Sequence, residues 1–480
     1  MEGELLMLYV VKRDGRTVEF NIDKISNAIK KAATEEGVSL KTSQVFDCVQ
    51  KVINYIEMTE KENISVEEVQ NLVEKALRDS GHENIAISYS TYRKERTKVR
   101  EIKSDLMKAI QQIGYETDRD NANVGNNFSS KLLRIASESN KWHTLASMPK
   151  KLAKAHETGD LYYHDLDSYN LTTNCLHIPT REVLEKGFNT GYGTINSPKR
   201  IETAAELSCI LLQSTQNDMF GGQSHPDFDN DLGIFVEPTR KEIKKELEEL
   251  GVPSERIEGI LEKKVTERIH QAMQGVVFNL NTMHSRAGSQ VPFSSVNIGI
   301  PNSDDAALVC EIFLEEYEKG LGKGEQPIFP NIIFRVKEGV NREEGDPYYY
   351  LYELACRVAA KRMNPTFMNI DADFNKEYYD KGYMPATMGC RTYLMKNVNG
   401  EPGCKGRGNI APTTINLPRI GLQAKGDIDK FFELFQQRID LAEEALMHRY
   451  GILKNLRVKD LPFVAGQHLM KGSEGLNEED

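Results

Sequence analysis

Two cysteines stand apart by what surrounds them. Cys390 ends the run Met384-Pro385-Ala386-Thr387-Met388-Gly389-Cys390 and is followed by Arg391-Thr392, which puts a lone thiol after a glycine between two apolar stretches. Cys175 lies in Asn174-Cys175-Leu176-His177, soon after Gly159-Asp160-Leu161-Tyr162-Tyr163-His164-Asp165. Two polar words follow Cys390: Gly406-Arg407-Gly408-Asn409 and Thr413-Thr414-Ile415-Asn416-Leu417-Pro418-Arg419. The seven cysteines, at 48, 175, 209, 310, 356, 390 and 404, are odd in number and form no Cys-x-x-Cys pair. That spacing disfavours a disulfide framework and a zinc site built from this chain alone, so no metal ligands are assigned. Free cysteine is most often a small buried apolar residue. Cys48, Cys209, Cys310 and Cys356 fall on apolar helical faces and are read as core, while Cys404 sits in a glycine-rich loop with no role assigned.

A chain of 480 residues implies two or three domains with ample core. A net charge of −11 argues against a general nucleic-acid or membrane-surface binder, although local basic clusters can still meet nucleotide phosphates. The start Met1-Glu2-Gly3-Glu4 lacks the basic region and apolar core of a signal peptide, and no apolar run reaches membrane-spanning length. A cytoplasmic protein is expected.

The elements that must position these residues follow from periodicity. Tyr9–Arg13 and Thr17–Phe20 read as two short strands around an Asp14-Gly15 turn. Helices are expected from Asp23 to Ala33, from Ser65, and from Ile87 to Arg100, and a polar stretch from Tyr115 to Ser130 then leads into the rest. Arg240 to Met273 reads as a solvated amphipathic hairpin with Ile243, Leu247 and Leu250 as its stripe and Pro253 as its break. After residue 290, β-prone runs at 290–301, 326–336, 365–370 and 387–394 alternate with helical segments at 304–318 and 347–363. Such alternation argues for an α/β architecture with parallel neighbours.

The words Val11-Lys12-Arg13-Asp14-Gly15, Asn21-Ile22-Asp23-Lys24-Ile25, Asn63-Ile64-Ser65-Val66-Glu67-Glu68 and Tyr89…Tyr92-Arg93 resemble an ATP-cone, a regulatory nucleotide-binding module. Two adjacent cations at a hairpin turn suit a triphosphate. The resemblance implies that Lys12, Arg13, Asn21, Lys24, Ser65 and Arg93 line an ATP/dATP pocket. The words around Cys175 and Cys390 resemble the catalytic subunit of an anaerobic (class III) ribonucleotide reductase, a glycyl-radical enzyme. The fold implied is α/β: an N-terminal α+β ATP-cone (1–100), a linker (101–125), and an incomplete ten-stranded α/β barrel (126–480) with Cys390 at the tip of a thiyl finger loop.

By the same resemblance Cys390 becomes the thiyl radical, Cys175 sits on a barrel strand across the substrate, and Asn409 pairs with Cys175 as in formate-using members. Substrate ribonucleoside triphosphates would lie near His164, Asp165, Ser214 and Gln216, although polar residues at strand ends also commonly only cap backbone groups. Ser197-Pro198-Lys199-Arg200 at a helix start suits a phosphate, making Lys199 a candidate for a specificity-effector site. Family members carry a C-terminal Arg-Val-x-Gly-Tyr glycyl-radical word preceded by four zinc-binding cysteines, and neither occurs here. The chain is therefore expected to be truncated relative to its family and inactive alone. It would need a C-terminal partner chain bearing the glycyl radical and structural zinc, together with a 4Fe-4S/S-adenosylmethionine activase, and is expected to be a homodimer. The alternative reading is a non-catalytic ATP/dATP-binding fragment or regulator. A formate-lyase or dehydratase ranks last, because those enzymes typically lack an ATP-cone.

Overall fold

A computed structural model describes residues 9–12, 16–35, 37–59, 61, 63–115, 127–286 and 290–480. The chain divides into two compact units at Ala109/Ile110. Arg13 and the Asp14-Gly15 turn lie outside the described residues.

In the first unit, strands β1 (Tyr9–Val11), β2 (Thr17–Glu19) and β3 (Asn63–Ser65) form a sheet of order β2-β1-β3, with β2 antiparallel and β3 parallel to β1. Lys12 N–H donates to Arg16 O at 2.8 Å, closing the expected hairpin. Helices Ile22–Glu35, Thr42–Glu57 and Val66–Asp79 pack Ile25, Ile29, Val52, Val73 and Leu77 onto Val10 and Ile64 of the sheet. Ser65 starts the third helix with a capping box: its Oγ accepts from Glu68 N–H at 3.2 Å, and Glu68 Oε2 accepts from Ser65 N–H at 3.0 Å. The next helix runs from Glu83 to Tyr115, so the first part of the stretch read as a linker is helical.

The second unit adds β4 (Leu161–Tyr163), β5 (Cys175–His177), β6 (Phe188–Asn189), β7 (Thr194–Ile195), β8 (Gln223–His225), β9 (Ser294–Ile298), β10 (Asn331–Val336), β11 (Thr366–Asn369), β12 (Gly408–Asn409) and β13 (Thr413–Ile415). Six of them form one curled sheet, a half-barrel, in the order β11-β10-β9-β8-β5-β12. Its strands are parallel except β12, which runs antiparallel to β5. β4 pairs with β13 and β6 with β7 in separate ribbons.

Side chains alternate across a strand, and here alternation separates oil from chemistry. Leu176, Val296, Ile298, Ile332 and Phe334 turn outward into one apolar core with helices Ile201–Asp218, Ser254–Thr282, Asp304–Lys319 and Tyr349–Arg362. The other face lines the bore. The register aligns His177, Ser224, Ser295 and Asn331 across four strands, with Asn297 and Arg335 further along the same face. Arg335 is fully buried, and its Nη2 donates to Asp227 Oδ1 at 2.7 Å and Asp229 Oδ1 at 3.4 Å.

Three expectations need correction. Cys356 is exposed rather than core, because it falls on the solvent side of its helix. Residues 240–273 are two helices, Val236–Glu249 and Ser254–Thr282, that bury Ile243, Leu247, Leu261 and Val265 in the main core, while Leu250 is 80% exposed beyond the first helix's end. Residues 387–394 form a loop, described below. Among the described residues no helix is long and apolar enough to cross a membrane.

Phe334 is wholly buried against Tyr352 and Phe367. Phe334→Ala should lower urea-unfolding stability by about 3–5 kcal/mol, the usual cost of truncating a core aromatic. A loss under ~1 kcal/mol would mean that the outer face of β10 is not packed as described.

Candidate active site

The chain reverses tightly between Thr387 and Tyr393, which face each other as a lone antiparallel bridge. Met388 N–H donates to Thr392 O at 3.3 Å and Arg391 N–H to Met388 O at 2.8 Å, leaving Gly389, Cys390 and Arg391 at the tip. Arg391 holds φ +66°, the left-handed region, to complete the turn. Those two bonds close the reversal, and further backbone groups of the loop are met by side chains of the bore. Gly389 N–H donates to Ser295 Oγ at 3.0 Å, Thr387 N–H to Asn297 Oδ1 at 3.1 Å, and Asn297 Nδ2 returns to Thr387 O at 3.0 Å. A Cβ on Gly389 would come 3.0 Å from Asn331 Nδ2, so glycine lets the tip seat against β9 and β10.

Cys175 occupies the bore face of β5 and is 2% exposed. Its Sγ accepts from Gly222 N–H at 3.2 Å. Gly221 and Gly222 permit that approach: a Cβ on the first would lie 2.0 Å from Asn174 Oδ1, and on the second 2.5 Å from the Phe293 ring. Opposite Cys175 in the antiparallel pair stands Asn409, whose Oδ1 accepts from Cys175 N–H at 3.1 Å. The far end of the same carboxamide, Nδ2, donates to Thr392 Oγ1 at 3.0 Å, and Thr392 Oγ1 lies 3.1 Å from Cys390 Sγ. Two cysteines separated by more than two hundred residues are thus joined by one short polar chain.

The two thiols are near enough to shift each other's titration. Cys175 is pushed well above the ordinary thiol range, first by the Cys390 thiol beside it and then by burial. Cys390 is held down to about 5, chiefly by hydrogen bonding with Cys175 and further by Thr392. Asp165 and Arg286 flank the pair, and the charge of each is felt at Cys175 or by the other. Burial raises the Asp165 carboxyl, with Arg286 acting against it. Arg286 stacks 4.3 Å from the Phe220 ring and donates from Nε to Phe220 O at 2.9 Å. The site therefore pairs a buried, protonated thiol with a more exposed one at a loop tip, beside a carboxylate and a half-buried guanidinium.

Residues 120–480 match the protein family described as anaerobic ribonucleoside-triphosphate reductase, and residues 8–98 match the ATP cone domain. The chain belongs to the anaerobic ribonucleoside-triphosphate reductase family. It is 31% identical over 470 residues to that reductase from Haemophilus influenzae, covering 95% of this chain and 64% of the relative. With the Escherichia coli K12 protein it shares 30% over 488 residues, covering 98% of this chain and 66% of the relative. The chain thus spans just under two thirds of the length of these curated relatives. Among solved structures, the anaerobic ribonucleotide reductase from Thermotoga maritima in complex with dATP and CTP aligns with TM-score 0.54 at 19% identity, covering 78% of this chain and 64% of that one, a likeness of fold.

Of the residues singled out in this reductase-family chain, the structure brings Cys390, Cys175 and Asn409 together. Asp165 joins them through charge, but His164 Nε2 is engaged at 2.7 Å by Thr414 Oγ1 on β13. Ser214 and Gln216 lie on helix Ile201–Asp218, where Gln216 Nε2 donates to Gly221 O at 2.7 Å and so braces the turn whose Gly222 N–H meets Cys175. Lys199 is exposed just before that helix. In the first unit, Lys12 and Ser65 adjoin at one end of the sheet, because Val11 pairs with Ser65. Asn21 and Lys24 begin at the other end, beyond Glu19, which pairs with Tyr9. A three-residue strand is only about 10 Å long. Arg93 is shared between Glu67 at 2.5 Å and Glu74 at 3.1 Å.

Thr392, Ser295, Asn297 and Arg286 were not anticipated. Thr392 alone carried a signal, its place two residues from Cys390.

Alkylation by iodoacetamide reads out this arrangement, since the thiolate is the nucleophile. Cys390 should react with a midpoint near pH 5, its rate low below that value and level above it, while Cys175 stays unmodified through neutral pH. Peptide mass spectrometry across pH 4–9 checks this. A Cys390 midpoint near ~8.5, where a free thiol titrates, would contradict the paired geometry.

Proposed function

We propose that this chain is the thiyl-bearing, nucleotide-binding part of an anaerobic ribonucleoside-triphosphate reductase that uses formate as reductant. The observation that carries the reading is Cys390 at a loop tip inside a half-barrel, against Cys175 and linked to it through Asn409. Direct removal of a ribose 2′-hydroxyl is hard, and a radical at C3′ makes it feasible. As a thiyl, Cys390 takes hydrogen from C3′, and the substrate radical then loses its 2′-hydroxyl as water. Cys175 supplies a hydrogen atom to C2′ and, left as a thiyl, takes one back from formate. The carbon dioxide radical anion so formed passes its electron to the 3′-ketone, which takes up a proton, and leaves as carbon dioxide; Cys390 then returns its hydrogen to C3′ and is again a thiyl. Overall, ribonucleotide, formate and a proton become deoxyribonucleotide, carbon dioxide and water. The chain's task is to hold the thiol near C3′ and to exclude water.

In this reading Asp165, His164, Ser214 and Gln216 border the substrate, and Lys199 contributes to a specificity-effector site. Lys12, Arg13, Asn21, Lys24, Ser65 and Arg93 take ATP or dATP, the three-residue sheet being short enough for one triphosphate to reach both of its ends. Arg93 would exchange a carboxylate partner for phosphate. A glycyl radical would supply the oxidation of Cys390; its Arg-Val-x-Gly-Tyr word and the zinc-binding cysteines do not occur among these 480 residues. A 4Fe-4S/S-adenosylmethionine activase would generate that radical, and the working enzyme is a cytoplasmic homodimer.

The test is anaerobic reduction of CTP with formate, ATP and the activase, using this chain alone and with a polypeptide bearing the Arg-Val-x-Gly-Tyr loop. Deoxycytidine triphosphate should form only in the mixture, and Cys390→Ala should abolish it. No turnover in a mixture shown to assemble and to hold a glycyl radical would overturn the catalytic reading and leave a nucleotide-binding fragment.

A further inference from the structure

The contacts of Thr392 give it a task of its own. The carboxamide of Asn409 has one orientation only: a backbone N–H, that of Cys175, points at its oxygen, so the other end is the NH2 group. That NH2 donates to Thr392 Oγ1 at 3.0 Å. The hydroxyl oxygen is therefore used as an acceptor and its hydrogen is left to donate elsewhere. Cys390 Sγ lies 3.1 Å away. The backbone of Thr392 is itself pinned, its carbonyl accepting from Met388 N–H at 3.3 Å across the reversal. A β-branched side chain on a pinned backbone has few rotamers. The hydroxyl is thus aimed from both sides, by the loop and by Asn409.

We propose that Thr392 is the positioning residue that fixes the Cys390 thiol against Cys175, by donating its hydroxyl hydrogen to the sulfur. A donor to the sulfur's lone pair restrains the side chain of Cys390 without drawing on a hydrogen of the sulfur itself. The purpose assigned here rests on the proposed reductase function, whereas the contact does not. The same hydrogen bond also favours the thiolate of Cys390.

The experiment uses the whole chain, reduced and anaerobic, alkylated with iodoacetamide and read at Cys390 by peptide mass spectrometry as a function of pH. Thr392→Val keeps the branched shape and removes the hydroxyl; Thr392→Ser keeps the hydroxyl. The valine variant should move the Cys390 midpoint upward by about one pH unit, a tenfold loss of thiolate on the rising limb, and the serine variant should restore the parent profile. Thr392→Ala gives the same reading should the valine variant fail to fold. A hydroxyl-free variant that superimposes on the parent, or a serine variant displaced as far as valine, overturns the proposal. In the complemented CTP assay, Thr392→Val should lower kcat with KM unchanged. Absence of turnover in the parent as well as in every variant, with the thiol profile shifted as expected, would count against the reductase reading and leave the positioning role standing.

Discussion

The hydrogen bond from Cys175 N–H to Asn409 Oδ1 is the interaction on which the rest of the site depends. Strand β12 is only two residues long, and it meets β5 so closely that a Cβ on Gly408 would fall 1.7 Å from Cys175 O. Glycine at 408 is what allows residue 409 to stand across from Cys175. The side chain of Asn409 then reads both cysteines at once, one through its oxygen and the other through its nitrogen and Thr392. That carboxamide is the polar link from β5 to the finger loop.

A loop that runs inside a barrel needs partners for its peptide groups, because an unpaired N–H or C=O away from water is costly. This requirement explains why the bore is polar. Ser295 and Asn297 serve the loop's backbone, Thr366 accepts from Arg391 Nη2 at 2.5 Å, and Arg335 is neutralised further along by Asp227 and Asp229. Apolar packing is delegated to the outward faces of the same strands. Alternation thus does two tasks in β9 and β10: Val296, Ile298, Ile332 and Phe334 hold the fold, while Ser295, Asn297 and Arg335 hold the site.

What was legible in the sequence was local. Cys390, Cys175 and Asn409 could be named because each stands in a short distinctive word, and the α/β alternation after residue 290 marked β9, β10 and β11 with their helices. What was not legible was long-range. Nothing near Ser295 says that a glycine 94 residues later will donate to it, and nothing near Gln216 says that its amide will brace the turn to Gly222. Periodicity placed Ile243 and Leu247 on one stripe of a hairpin broken at Pro253 but could not say that the stripe would join the main core. The loop at 387–394 has strand-like composition, yet its bonds go to side chains, a choice set by the bore around it. Arg93 was named for phosphate, while its present partners are the Glu67 and Glu74 carboxylates and the Asn71 carboxamide oxygen on helix Val66–Asp79.

The central claim is that the two sulfurs face each other in the chain as it stands. Oxidation of the anaerobic protein by diamide tests it most directly. Diamide takes one hydrogen atom from each of two thiols, becoming its hydrazine as a single S–S bond forms. Peptide mapping should find Cys175 joined to Cys390 ahead of any other pair of the seven cysteines. Recovery of Cys390 joined elsewhere, or of both thiols unjoined while other cysteines oxidise, would contradict the account.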